Sequence, residues 1–146
     1  MIRAGTEDDY DAITSMAEEF WQYTIYDEKF CPDTVRAMTA LCDEQGLLSV
    51  LQVGGKVVGF ACGVKGPLLA NSEVLSGTEI AWWVDPAHRS GRNGIALLKH
   101  IERLAKKAGI KYWNMAYMES SMPEEIKSIY ERMGYKRSEV IYTRIL

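Results

Sequence analysis

The sequence predicts a mixed α/β or α+β fold, a sheet with helices packed on it. Three observations carry that expectation. Apolar residues recur at helical spacing early and late in the chain and at strand spacing around residues 47–64, with Gly, Pro or Asn at the changes of period. The segments follow the order βααββ-βαβαβ, which interleaves the two classes. The 146 residues, 47% hydrophobic and 25% charged, are enough for one core and are read as a single domain, 1–146.

Ile2 to Ala4 is a short strand candidate. Thr6 is an N-cap candidate, and Glu7, Asp8 and Asp9 put negative charge into a first helical turn. Tyr10, Ile13, Ala17, Phe20 and Trp21 then form one apolar stripe. A second helix starts near Pro32 and Asp33, points Val35, Met38 and Leu41 inward, and ends at Gly46. LLSVLQV and KVVGFACGV read as two strands joined at Gly54-Gly55. Lys65 to Ser76, with Gly66, Pro67 and Asn71, reads as a loop before a strand from Thr78 to Val84. The following helix keeps Ile95, Leu98, Ile101, Leu104, Ala105 and Ala108 near one face and stops at Gly109. Lys111 to Met118 is a strand. A last helix opens at Pro123 with Glu124 and Glu125, turns Ile126, Ile129, Tyr130 and Met133 inward and closes at Gly134. The tail alternates Val140, Tyr142 and Arg144 against Ile141, Thr143 and Ile145, which predicts a closing strand.

Composition narrows the function. A net charge of −3 argues against general nucleic-acid binding. No apolar run reaches the ~18 residues of a membrane span, and the acidic start is unlike a signal peptide, so a cytoplasmic location is expected. Cys31, Cys42 and Cys62 are widely spaced and read as small buried or half-buried thiols. With only His88 and His100 and no H-E-x-x-H, no metal site is expected.

The segment from Ile80 to Gly109 points most directly at a ligand. It reads as a strand, a loop rich in Arg and Gly, and an amphipathic helix. A helix start exposes N–H groups without intrahelical partners and carries partial positive charge, so it suits a phosphate or diphosphate. A Walker A loop fails because Ile95 and Ala96 follow Gly94, and Gly91-x-x-Gly94 is only part of a dinucleotide fingerprint. A plain nucleotide-binding domain using the same helix start stays open.

Val84-Asp85-Pro86, Arg89 three residues after the Pro, Gly91, and Gly94 opening a long helix resemble the acyl-CoA loop of the GNAT N-acetyltransferase superfamily, with its [Q/R]-x-x-G-x-[G/A] pattern. Arg89 takes the first place and Gly94 the last, while Arg92 stands at the middle Gly. IYERMGY, from Ile129 to Tyr135, is similar to the family's LYExxGF signature, although Pro123 replaces an Asn often found seven residues before the Tyr. The resemblance implies a central twisted sheet of about six or seven strands with four helices.

It also implies an N-acetyltransferase that moves an acetyl group from acetyl-CoA to a primary amine by direct attack in a ternary complex. The alternative is a catalytically silent GNAT-fold module that binds acyl-CoA or other proteins. The pantetheine arm would lie along Trp82, Trp83, Val84 and Asp85, and the diphosphate on Arg89, Ser90, Gly91, Arg92, Asn93, Gly94 and Ile95. Every residue from His88 to Ile95 offers an N–H, because none is Pro. Glu79 is the candidate general base, with an exposed strand-edge Glu as the competing reading. Tyr130 is the candidate general acid beside the coenzyme sulfur, with a buried aromatic as its competitor. Phe20, Trp21, Tyr23, Tyr26 and Phe30, with Asp27, Glu28 and Asp33, are either a slot for a cationic or amphipathic amine or helix packing. A homodimer through the tail edge and a monomer both remain open.

Overall fold

Near the N-terminus, a carboxylate ties a strand to a helix. Asp9 accepts from both terminal nitrogens of Arg3, at 2.7 and 2.8 Å, and from the Thr6 N–H at 2.9 Å. The Arg3 bond is the main cause holding the Asp9 carboxyl below its usual range. This knot joins β1 (Ile2–Ala4) to a 3-10 turn and α1 (Tyr10–Trp21).

The computed structural model describes residues 1–146 and divides into a larger unit, 1–116, and a smaller one, 117–146. After α1 the larger unit contains α2 (Pro32–Glu44), β2 (Leu48–Val53), β3 (Lys56–Leu68), β4 (Asn71–Val84), α3 (Asn93–Lys107) and β5 (Ile110–Asn114). The sheet runs β1-β2-β3-β4-β5, antiparallel as far as β4 and parallel between β4 and β5. Tyr10, Ile13 and Met16 of α1 and Cys42 of α2 pack on one face, against Leu48, Val50, Phe60, Cys62, Ala81 and Trp83. On the other, Leu97, Ile101 and Ala105 of α3 meet Leu51, Val58, Ala61 and Val84. Strand alternation separates the two sets, since successive side chains point to opposite faces.

Several expectations need correction. The sheet has five strands rather than six or seven, alongside the four expected α-helices. Lys65 to Ser76 is not a loop but most of the tip of a long hairpin. Lys65 pairs with Gly77, Gly66 with Ser76 and Pro67 with Leu75 before a turn at residues 69–70. Pro67 is accommodated beside a register irregularity between Pro67 and Leu68, where regular ladder bonding lapses. Strand β5 ends at Asn114 instead of Met118. In α2 the inward side chains are Thr39 and Cys42, whereas Met38 and Leu41 are exposed. The Thr39 hydroxyl donates to the Val35 carbonyl at 2.9 Å, which lets a polar residue take the core position.

The smaller unit holds α4 (Pro123–Arg132), which starts on Pro123 and is followed by Gly134 at φ 89. Its tail carries no strand: Ile141, Tyr142 and Ile145 are more than four-fifths exposed. Alternation gives a segment the capacity to be a strand, but a ladder also needs a partner edge. No helix of the chain is long and apolar enough to cross a membrane.

Trp113 of β5 lies against the sheet where two strands lack side chains. A Cβ on Gly63 would collide with the Trp113 ring and come within 2.6 Å of the Thr78 carbonyl oxygen. Backbone on one side and a bulky ring on the other leave little room to adjust. Gly63→Ala is therefore expected to destabilise the protein by about 2 kcal/mol or more, read as a lower urea midpoint with an unchanged slope.

Candidate active site

The last third of β4 brings together most of the residues that the sequence singles out. Pairing with β5 runs from Leu75↔Ile110 to Thr78↔Asn114 and then stops, so Glu79 to Val84 have strand β3 on one edge and no strand on the other. The Asp85 N–H donates to the Val58 carbonyl at 2.9 Å, which marks Gly59↔Val84 as a non-hydrogen-bonded pair. Val84, and by alternation Trp82, therefore turn their own N–H and C=O groups toward the unpaired edge.

Beyond Val84 the chain forms a 3-10 turn, Pro86–His88, and enters α3. Not every loop amide is available, contrary to expectation. His88 N–H donates to the Asp85 carbonyl and Arg89 N–H to the Pro86 carbonyl. The amides of Arg92, Asn93, Gly94 and Ile95 precede the first helical bond, from Ala96 N–H to the Arg92 carbonyl at 2.8 Å. The Asn93 side chain donates to the His88 carbonyl at 3.0 Å and braces the loop. Gly91 has φ 79, a left-handed conformation that favours glycine. Arg92 has φ −104, so an ordinary side chain fits where the family pattern has its middle Gly. Gly94 is the position of close approach, since a Cβ there would meet the Trp82 ring at 3.3 Å.

The adjacent tryptophans separate. Trp82 lies on the α3 face and Trp83 on the α1 face, where its ring meets Phe20 edge-on at 6.2 Å and Tyr23 at 5.6 Å. Arg89 was expected to reach outward to phosphate. Its guanidinium instead stacks 4.4 Å above Trp83, and its Nε donates to the Val84 carbonyl at 2.7 Å. Asp85 and the exposed Ser90 complete the loop. Trp21 stacks on Tyr26 at 5.8 Å and donates to the Glu28 carbonyl at 2.9 Å, so part of the aromatic group orders the segment after α1.

Glu79 is buried, which removes the exposed-edge reading. Burial alternates along Gly77, Glu79, Ala81 and Trp83, with Thr78 and Ile80 outward. Desolvation raises the Glu79 carboxyl to about 7, against a weaker opposing effect of its hydrogen bond from the Ala116 N–H, at 3.3 Å. The sequence gives no sign of Ala116 as a partner, because it lies on the segment after β5. Nearby, the Cys62 thiol is pushed well up by its bond with Cys42 and by burial, with the charge of Glu79 adding to the effect. Cys31, by contrast, is exposed. Tyr130 sits in the smaller unit on α4, buried, with its ring 5.4 Å from that of Tyr135.

Residues 13–135 match the profile of the Acetyltransferase (GNAT) family. No curated protein matches the sequence. Among solved structures, the chain is similar to a ribosomal-protein-alanine N-acetyltransferase from Brucella melitensis biovar Abortus 2308, at TM-score 0.74 and 16% identity, covering 100% of this chain and 99% of that one. A predicted acetyltransferase with acetyl-CoA from Clostridium acetobutylicum superposes at TM-score 0.76 and 12% identity, over 99% of this chain and 95% of that one. A transcriptional regulator from Bacillus halodurans C-125 gives TM-score 0.77 and 21% identity, over 100% and 99%.

The elevated Glu79 value has a stability consequence of definite sign. A carboxyl that ionises near 4.5 when unfolded and about 7 when folded keeps its proton more tightly in the native state. Its contribution is intact below pH 4.5 and is lost as pH rises through about 7, by about 3 kcal/mol in full. Glu79→Gln is expected to remove this loss, so denaturation midpoints of variant and parent should diverge progressively from pH 5 to pH 8 in favour of the variant.

Proposed function

The chain belongs to the acetyltransferase (GNAT) family, and we propose that it transfers an acetyl group from acetyl-CoA to a primary amine, by direct attack with both substrates bound, within a single acyltransferase domain. The observation that carries this reading is the unpaired edge of β4 leading into the amide-rich start of α3. An extended arm bearing amides can add to that edge as a strand would, and a diphosphate suits the helix start. When bound, the coenzyme supplies an activated acetyl thioester.

The protein's residues divide the work. The Trp82–Val84 stretch turns main-chain groups toward the edge that β5 leaves, where a pantetheine arm can add as a strand would, and an N–H on this edge can stabilise negative charge that develops on the carbonyl oxygen. Arg89 already occupies the Val84 carbonyl, so it orients this stretch rather than serving only as a phosphate ligand. Arg92, exposed at the helix start, adds positive charge beside the amides of Asn93, Gly94 and Ile95. Gly91 gives the turn its left-handed step, and Ser90 and Asp85 flank the approach.

The acceptor has a protonation problem. An alkyl amine of pKa ~10.4 is neutral in only about one molecule in 2,500 at pH 7, a deficit near 4.6 kcal/mol. Glu79, with its carboxyl at about 7, is half ionised near neutrality and suited to take that proton directly or through water. Tyr130 is assigned as the acid that protonates the departing thiolate, on the likeness of IYERMGY to the family signature.

Acetyl-CoA is expected to raise the melting temperature, with NAD and ATP giving no shift; at a ligand concentration of 100 Kd the gain is about 2.7 kcal/mol. Arg92→Glu should weaken this effect at least tenfold in Kd, about 1.4 kcal/mol. Binding without acetylation of any amine in a broad panel would instead establish the silent module. In steady-state kinetics, Tyr130→Phe should keep the KM for acetyl-CoA and lower kcat. Glu79→Gln should lose rate near neutral pH and recover toward the parent as rising pH deprotonates the amine. A pH-independent loss would remove Glu79 as the base.

A further inference from the structure

Arg89 stands at the end of the open edge of β4, half-buried, and its charge has no carboxylate to balance it. The chain's ion pairs join Arg3 to Asp9, Arg36 to Asp11 and Lys127 to Glu124, and Arg89 belongs to none of them. Its guanidinium lies 4.4 Å from the centre of the Trp83 ring, and its Nε donates to the Val84 carbonyl at 2.7 Å. A ring face and a carbonyl hold the cation without neutralising it.

The place of that bond is informative. Val84 turns its carbonyl away from β3, because Gly59↔Val84 is a non-hydrogen-bonded pair. A strand on that side would run about 4.8 Å away and donate an N–H to the same oxygen. The Arg89 Nε, at 2.7 Å, lies inside that lane and makes the bond in the absent neighbour's place. The turn that carries it is braced separately, by the His88 N–H on the Asp85 carbonyl and by the Asn93 side chain on the His88 carbonyl. Arg89 can therefore leave by side-chain rotation alone.

Building on the acetyl-transfer reading, we infer that Arg89 is a removable plug, which closes the lane beside Val84 in the free protein and yields the carbonyl to the amide-bearing arm of the coenzyme. One N–H donor to Val84 replaces another, so the exchange leaves that oxygen satisfied. The released guanidinium turns outward, where water serves its donors. A nucleotide with a diphosphate but no arm reaches the start of α3 and leaves the plug in place.

The test uses the full chain labelled with 15N in arginine. Arg89→Met keeps an aliphatic stem over Trp83 without the donor, and the Nε–H signal it loses identifies Arg89. Should that variant not fold, Arg89→Lys, which keeps a cation there and also lacks an Nε–H, makes the same assignment. CoA is expected to move the Arg89 signal, and ADP, a diphosphate without the arm, to leave it unchanged. By calorimetry, Arg89→Met should bind CoA about tenfold more tightly than the parent and ADP equally well, with a smaller gain for Arg89→Lys. An Arg89 signal that bound CoA leaves unmoved, or that ADP moves as far, overturns this inference and leaves the coenzyme reading intact. A CoA affinity that falls in the variants makes Arg89 a coenzyme ligand and also overturns it. A moved signal with tighter binding, but no amine acetylated from acetyl-CoA, upholds the plug and ends the transferase reading. CoA bound by neither parent nor variants overturns both.

Discussion

A strand inside a sheet must satisfy hydrogen bonds along both edges, and β4 does so for only part of its length. Its antiparallel neighbour β3 accompanies it to Val84, whereas its parallel neighbour β5 leaves after Thr78↔Asn114. The placement of Glu79 and of the edge beyond it follows from that divergence. Glu79 is the first residue past the fork, and its carboxyl is taken up by the Ala116 N–H just after β5. The next residues present main-chain groups with no strand to receive them. The chain then reaches the start of α3, where another set of amides lacks helical partners. Two stretches of main chain outside the strand and helix ladders meet within about ten residues, and the coenzyme proposed above would serve both.

The same stretch unites the two faces of the sheet. Trp82 packs toward α3 and Trp83 toward α1, so the strand is held from both sides by rings on adjacent residues. Gly94 and Gly63 supply the complementary hollows, one beneath Trp82 and one beneath Trp113. Arg89 closes the arrangement from the loop, with one nitrogen on the Val84 carbonyl and its plane over Trp83. The candidate site is thereby supported by regular elements rather than by a free loop, the support that a catalytic geometry would need.

Much of this was readable in the residues. The strand–loop–helix from Ile80 to Gly109 announced itself because period, glycine placement and charge all agree there. The α3 stripe was legible because Leu98, Ile101 and Ala105 leave few alternatives. The misreadings share a cause: local signals describe what a segment can do, and partners decide what it does. Gly66 and Pro67 look like a loop, yet an antiparallel neighbour of matching length keeps them in a ladder. The tail looks like a strand, yet no ladder forms on it. Met38 and Leu41 look like core, but Thr39 hides its hydroxyl on Val35 and takes the inward place. The burial of Glu79 and the inward fold of Arg89 depend on contacts across the sheet and around the loop, which hydropathy cannot register.

The division of labour at residues 91 and 92 has a wider consequence. The turn's unusual backbone angle belongs to Gly91 alone, and its neighbour keeps an ordinary one. Shape and charge are therefore written at separate addresses. Mutational drift can exchange the side chain at 92 among basic, neutral and acidic types while the curve of the main chain persists. On the acetyl-CoA reading proposed above, the hold on a spent coenzyme would be retuned by one codon, without redrawing the main-chain turn.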